Sequence, residues 1–335
     1  MVLVRIDLSR PPNARERTAL GKRRTRVERA QKSRTVAMGN LGKLALEREL
    51  AMVRIRGGFI RLAVPLVGDT SDRSAPPHEH RPPATRLMSP NGIGLRLMLV
   101  ALFEAQSRTP PGARADGTPI PLRAAHSGAI GWTTVTATSA QASGTGRHRM
   151  GVIDKQVRQL QTTLGKLEKE ALIEPVDSAK QGSGRYEGFY AMSEDVLFGH
   201  PGDVYRVPDG EESYFEVPVA LFTSGWIHVL EDSELALLLI TMRMRHIHGD
   251  EPQKLAAGTR LLHYGLSRDA FEAHIMLSRL GLLEVTEDAG RSMDGKVHDY
   301  TNQRAQPHEL LFLPAGLEHD AGAAVTAEID YQFSR

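Results

Sequence analysis

Two stretches, Leu164-Gly165-Lys166-Leu167-Glu168-Lys169-Glu170-Ala171-Leu172-Ile173-Glu174 and Ile275-Met276-Leu277-Ser278-Arg279-Leu280-Gly281-Leu282-Leu283-Glu284, end in the same way. Each closes an amphipathic helical pattern with a small residue, follows it with two aliphatics, and runs on into a strand-like piece. A helix that must stop, turn sharply and feed a strand back along itself needs a left-handed or crowded backbone at the corner, and a small residue permits it. Gly281 is the residue such a corner asks for; Ala171 departs from it.

Working outward, the same order of elements surrounds both corners. Before the first, Leu95, Met98, Leu99, Leu102 and Phe103 lie on one face at helical spacing behind the start signal Ser89-Pro90-Asn91. A Pro/Gly/Arg loop covers 109–123, and the Thr/Ser/Gly-rich stretch 131–146 fits either a short strand at Thr133–Thr138 or part of a helix. A helix is predicted over Ile153–Glu170, then strands at Ile173–Val176 and Tyr186–Met192 around the turn Gln181-Gly182-Ser183-Gly184. Around the second corner come an apolar helix from Glu231 to about His246 and a short helix over Gly258–Tyr264. A helix over Arg268–Leu280 and strands at Leu282–Glu287 and Val297–Thr301 complete it. The order helix, helix, helix, strand, turn, strand therefore appears twice.

The end of each corner helix resembles a winged-helix recognition helix entering its wing. The run Phe215-Glu216-Val217-Pro218, Phe222, Trp226 and Glu234–Ile240 also resembles the opening of winged-helix domains in replication initiators and related regulators of bacterial plasmids, phages and integrating elements. That resemblance covers residues 215–301, and 88–192 more loosely. It implies double-stranded DNA as the partner, bound by a dimer or a higher assembly. Phe222 and Trp226 themselves are read as core packing. The expected class is mainly α with small antiparallel wings (α+β). Two winged helix-turn-helix domains are expected at 88–195 and 213–320, joined by a linker at 196–212 and followed by a tail at 321–335.

Composition frames this reading. The chain has 335 residues, 41% of them hydrophobic and 24% charged, enough for one large or two to three small domains, each burying its own core. The absence of cysteine excludes disulfides, thiolate metal sites and a cysteine nucleophile, and suits a reducing cytoplasm. The longest apolar stretches, around Leu95–Phe103 and Leu235–Thr241, fall short of a membrane span, and no secretory signal opens the chain. A soluble cytoplasmic protein is expected. Residues 1–34 carry eleven Lys or Arg against Asp7, Glu16 and Glu28, a surplus of eight that leaves the remainder near −6 within a formal total of +2. Residues 1–87 read as a basic, low-order segment, with only Leu41–Leu66 apolar enough for an element. The segment is either an arm for DNA phosphates or sequence upstream of a true start at Met38, Met52 or Met88.

The helix over Ile153–Glu170 is expected to bury Val157, Leu160, Leu164 and Leu167. It would display Lys155, Arg158, Gln159, Thr162, Thr163, Lys166 and Lys169, of which 155, 158, 159 and 162 form one stripe. Arg and Lys suit phosphates and guanine edges, and Gln suits adenine in the major groove. Lys180, Arg185 and Tyr186 would sit in the wing behind it. The second candidate helix starts at the cap Ser267 with Asp269 in its first turn, and is expected to expose Arg268, Glu272, His274, Ser278 and Arg279. Its mixed charge suits weaker DNA contact or a protein partner, and Arg291, Lys296 and Arg304 would place its wing on a backbone.

Catalytic patterns find little support. His246-Ile247-His248 has the form of a rolling-circle relaxase metal motif, with Tyr186 and Tyr190 as a tyrosine pair. However, residues two apart on a helix point roughly 200° apart and cannot share a metal. No G-x-x-x-x-G-K-S/T loop, G-x-S-x-G elbow or H-E-x-x-H pair occurs, and Gly144-Thr145-Gly146 lacks the rest of a dinucleotide fingerprint. The expectation is a non-enzymatic transcriptional regulator without cofactors that binds double-stranded DNA, as a homodimer in the simplest case. The alternatives are a replication initiator and a protein–protein adaptor.

Overall fold

The computed structural model describes residues 8, 10–67, 74–89, 92–143, 150–288, 290 and 306–335. Helix dominates, the sheets are small and antiparallel, and the class is α+β. The order begins with α1 (Ala14–Arg29), α2 (Gln31–Leu46), β1 (Met52–Arg56), α3 (Pro83–Arg86) and α4 (Gly94–Arg108). It continues with α5 (Trp132–Val135), α6 (Val152–Lys169), β2 (Ile173–Pro175) and β3 (Phe189–Ala191). Next come β4 (Tyr214–Pro218), α7 (Ala220–Thr223), α8 (Trp226–Val229), α9 (Asp232–His248), β5 (Gln253–Lys254) and α10 (Ala257–Leu262). The chain ends with α11 (Arg268–Phe271), α12 (Ala273–Arg279), β6 (Leu283–Thr286), β7 (Glu309–Phe312) and α13 (Ala321–Ser334). Among the described residues no helix is long and apolar enough to cross a membrane.

The two corners close identically. After α6, Ala171 takes φ +56°, and after α12, Gly281 takes φ +71°. Leu172 N–H reaches back to the Leu167 carbonyl at 2.9 Å, and Leu282 N–H to the Leu277 carbonyl at 2.9 Å. Each is a Schellman closure that satisfies an otherwise orphaned helix carbonyl. Leu172 and Leu282 are both fully buried, so the corner drives the chain straight into the core. Strand β2 then pairs with β3 in the register Ile173↔Ala191, and β6 with β7 in the register Leu283↔Phe312. On the far edge of β7 lies β5, giving the order β5-β7-β6. In the first half Thr118 N–H takes the comparable place, donating to the Phe189 carbonyl at 2.8 Å.

Several elements differ from expectation. The run Thr133–Thr138 enters as the single helical turn α5, anchored by the buried Trp132. The helix expected over Arg268–Leu280 is broken into α11 and α12. A ring nitrogen of His274 bonds the Phe271 carbonyl at 2.7 Å, and Ile275 N–H bonds the Glu272 carbonyl at 3.1 Å, so the regular i→i−4 ladder is interrupted there. His274 is consequently 1% exposed, not displayed as expected. Pro90, Asn91, Val297–Thr301, Arg291, Lys296 and Arg304 lie outside the described residues, and the partner strand of β6 is β7.

The largest correction concerns residues 1–87. Rather than a low-order segment, they supply α1, α2 and β1. Asn13 and Glu16 form a reciprocal capping box at the start of α1, and Leu20, Ala37, Leu41, Val53, Ile55 and Phe59 are fully buried. Strand β1 pairs with β4, Val53 opposite Val217, so the N-terminal segment is sheet partner to the second half. The expected linker 196–212 is also packed: Tyr205 and Val207 are buried, and Met192 bridges Val204. The expected tail is α13, capped by Asp320 and buried through Val325 and Ile329 against α1 and α8. One continuous hydrophobic core runs through all of these pieces.

Two outcomes test this architecture. Because nothing within 4 Å would obstruct a Cβ at Gly281, the Gly281→Ala penalty is conformational alone, about 1 kcal/mol. Ala171→Gly should stabilise by about 0.5–1 kcal/mol, less the entropy glycine adds to the unfolded chain. Urea titrations of the two variants should therefore move in opposite directions. The fragment 88–335, stripped of β1, α1 and α2, should lose its cooperative thermal transition and its protease resistance; a sharp near-UV melt from that fragment would refute the joint core.

Candidate nucleic-acid interface

Helix α6 is built from a period-3.6 apolar stripe. Leu160, Leu164 and Leu167 are fully buried, joined by Gln156 and Thr163. Two residues fall on unexpected sides: Thr163, expected on the outer face, is buried with its hydroxyl donating to the Gln159 carbonyl at 2.8 Å, and Val157 is half-buried. Opposite the stripe, Arg158, Thr162 and Lys166 are exposed, and Lys155 and Gln159 are half-exposed. Among the described residues no carboxylate pairs with Lys155, Arg158 or Lys166; the ion pairs on this helix join Arg123 to Asp154 at 3.5 Å and Arg185 to Glu168. Thr162 turns its hydroxyl back to the Arg158 carbonyl at 2.9 Å, leaving its oxygen to accept.

The turn between β2 and β3 is tied to the end of this helix. Glu168 accepts from Arg185, and the Tyr186 hydroxyl donates to Glu168 at 2.6 Å. Arg185 also donates to the carbonyls of Ser178 and Lys180 at 2.8 and 3.1 Å. Arg185 is thus a clamp that orients the turn, not the free phosphate-binding cation expected. Lys180 remains exposed, its side chain lying across Gly184. The hydrogen bond from Arg185, then that from Tyr186, hold the Glu168 carboxyl below the usual carboxylate range.

In the second half Arg268 is half-exposed on α11 and Arg279 exposed at the end of α12. Counted back from the left-handed corners, Arg158 and Arg268 each stand thirteen residues before, and Lys169 and Arg279 each two before. The positions matching Thr162 and Lys166 hold Glu272 and the buried Met276. The break between α11 and α12 and these replacements leave no continuous basic stripe there.

The structure adds residues that sequence reading missed. The α1–α2 junction lies beside the first turns of α6: Ser33 Oγ is 3.4 Å from Gln156 Nε2 and accepts from Thr138 N–H at 3.3 Å. Arg29 and Lys32, both exposed, stand close in sequence to that contact. Their neighbours are not free. Arg23 binds Glu234, Arg26 binds Glu231, and Arg24 binds Asp330 at 2.8 Å, so much of the arm's charge is neutralised by the acidic body. The arginine run was the available signal, but its low hydropathy made it resemble disorder.

The relaxase residues do not assemble. His246 and His248 lie in the last turn of α9, the His246 ring meets Tyr214 at 5.9 Å, and Tyr186 is held by Glu168. Compared with protein families, with curated proteins and with solved structures, the chain matches none.

The clamp has a pH signature. A carboxylate depressed in the folded state contributes stability above its unfolded pKa, and loses that contribution as pH falls through the folded value. Protection of the amides across residues 178–190, taken relative to their intrinsic exchange rates, should therefore fall on acidification below the ordinary glutamate range. Glu168→Gln should show that loss of protection already at pH 7, with protection in the middle of α6 unchanged; a variant with wild-type protection in the turn would refute the clamp.

Proposed function

We propose that this chain binds double-stranded DNA through two winged-helix units, with α6 as the principal reader, and acts as a transcriptional regulator in the cytoplasm. The observation that carries the reading is the uncovered stripe of unpaired cations on α6. It stands immediately before a helix-to-strand corner whose following turn is clamped to the same helix. A helix of this length, about 27 Å, lies comfortably in the major groove. In that pose Lys155, Lys166, Arg29 and Lys32 serve phosphates, Arg158 and Gln159 face base edges, and Lys180 approaches the backbone from the turn.

The corresponding path in the second unit is weaker. Arg268 and Arg279 supply two phosphate contacts without a reading stripe, which suits a supporting site or the contact between two copies in a homodimer. A protein-adaptor role would be favoured by burial of the stripe against a neighbouring element, and Arg158, Thr162 and Lys166 are exposed. Replication initiation uses the same DNA-binding parts and differs in what the bound protein recruits.

The test is selection of bound fragments from a random duplex library by the full-length chain at low and at physiological salt. One enriched motif should survive the higher salt. Arg158→Ala should cost about 1–3 kcal/mol on that motif and relax its preference at one position. Lys166→Ala should weaken all sequences alike and reduce the salt slope by about one. Retention without a motif, abolished by salt and indifferent to Arg158, would rule out sequence reading by α6.

A further inference from the structure

Where α1, the start of α4, α6 and the α8–α9 corner meet, the protein forms a partly open cavity of about 120 Å³. Among the described residues, four nitrogens on its wall lack hydrogen-bond partners: Arg23 Nε, which faces Glu231 only across 4.0 Å, Arg96 Nε and both ring nitrogens of His228. Buried polar groups are nearly always paired, so four orphaned atoms around one cavity call for an explanation. His228 is 6% exposed. Burial, Arg96 and Arg34 push its pKa well below that of ordinary histidine, so the ring is neutral and offers one donor and one acceptor.

The other charges on the wall already have partners. Glu234 takes both terminal nitrogens of Arg23 at 2.6 and 2.7 Å, and Glu231 pairs with Arg26. Asp232 accepts from Ser89 N–H at 2.8 Å. Arg96 donates to the Leu230 carbonyl at 3.2 Å, and among the described residues no carboxylate is hydrogen-bonded to it, although Asp232 and Glu231 act on its charge through space.

We propose that this cavity is a binding site for a small oxyanion carrying one protonated oxygen, of which inorganic phosphate is the simplest. The two guanidinium Nε–H groups and the imidazole N–H donate to its unprotonated oxygens, and the second ring nitrogen accepts from its hydroxyl. Charge-assisted donors favour an anion over water in such a setting, and the space takes one tetrahedral ion with water to spare. The wall draws on the N-terminal segment and on both halves of the chain, so a bound ion cross-links them. Of the residues assigned to DNA, only Gln159 lines the cavity, and neither Arg158 nor Lys166 does.

Titration calorimetry of the DNA-free, full-length chain with inorganic phosphate, at constant ionic strength in chloride, tests this directly. The expected result is saturable one-site binding and an unfolding midpoint that rises with phosphate concentration. Arg96→Met and His228→Phe should each weaken binding roughly tenfold or more, while Arg158→Ala leaves it unchanged. Arg96→Lys keeps the charge but removes the Nε–H, and should weaken binding even if the methionine variant fails to fold. Sulfate, which has no proton to give the ring at neutral pH, should bind less tightly. Absence of saturable binding overturns the proposal. So does binding that survives the Arg96 and His228 changes but vanishes with Arg158→Ala, which would place the ion on the outer face of α6. With no DNA present, neither result bears on duplex recognition.

Discussion

Arg56 carries the end of β1 into the interior, and three parts of the chain converge on it. Its backbone N–H and Nη1 bind the two oxygens of Glu194 at 2.8 Å each, its Nε and Nη2 hold Glu212 at 2.6 and 2.7 Å, and Nη2 also reaches the Arg206 carbonyl at 2.7 Å. Glu194, fully buried just after β3, has its carboxyl pushed up by desolvation and pulled back by Arg56. Such a pair adds little net stability over an apolar replacement, but removing one partner strands a buried charge at a cost of about 3–5 kcal/mol. One guanidinium therefore couples the N-terminal segment, the end of the first half and the start of the second. Arg23 and Glu234 do the same between α1 and α9.

This explains why the N-terminal segment resembled disorder in sequence and is core in structure. The compositional argument treats charge as surface that cannot be buried. Here four of the segment's arginines, Arg23, Arg34, Arg56 and Arg86, are at most 6% exposed. The carboxylates that pair with three of them, Glu234 with Arg23, Glu194 with Arg56 and Glu170 with Arg86, lie 84 to 211 residues away, beyond any local pattern. By contrast, α6, α9 and both corners were legible because their causes are local: a 3.6-residue apolar stripe, a small residue after it, and two buried aliphatics. The break between α11 and α12 was not legible, since it depends on which carbonyl the His274 ring selects. In the candidate interface, the exposed stripe on α6 follows from periodicity. The contact of Ser33 with Gln156, which brings the α1–α2 junction beside α6, is tertiary and no periodicity encodes it.

The duplicated corner also shows how the halves diverge while their backbone is kept. Ala171 holds the left-handed turn against its own steric preference, because the Leu172 side chain and the β2–β3 register leave the chain no other exit. With the geometry preserved, charge is free to differ. The first helix keeps Lys155, Arg158 and Lys166 outward; in the second, His274 and Met276 turn into the core, and Glu272 stands where a neutral residue would face a phosphate. Under the proposed DNA reading, a duplex phosphate repeat would repel Glu272 and attract the α6 stripe, so the two halves would not compete for one role. The proposed reading would fall on α6, which is tied by the Glu168 clamp at one end and by the Ser33–Gln156 contact at the other. The second half is the platform on which β1 and α1 pack, through β4, α9 and α13, while α4, α5 and β2 hold α6 itself.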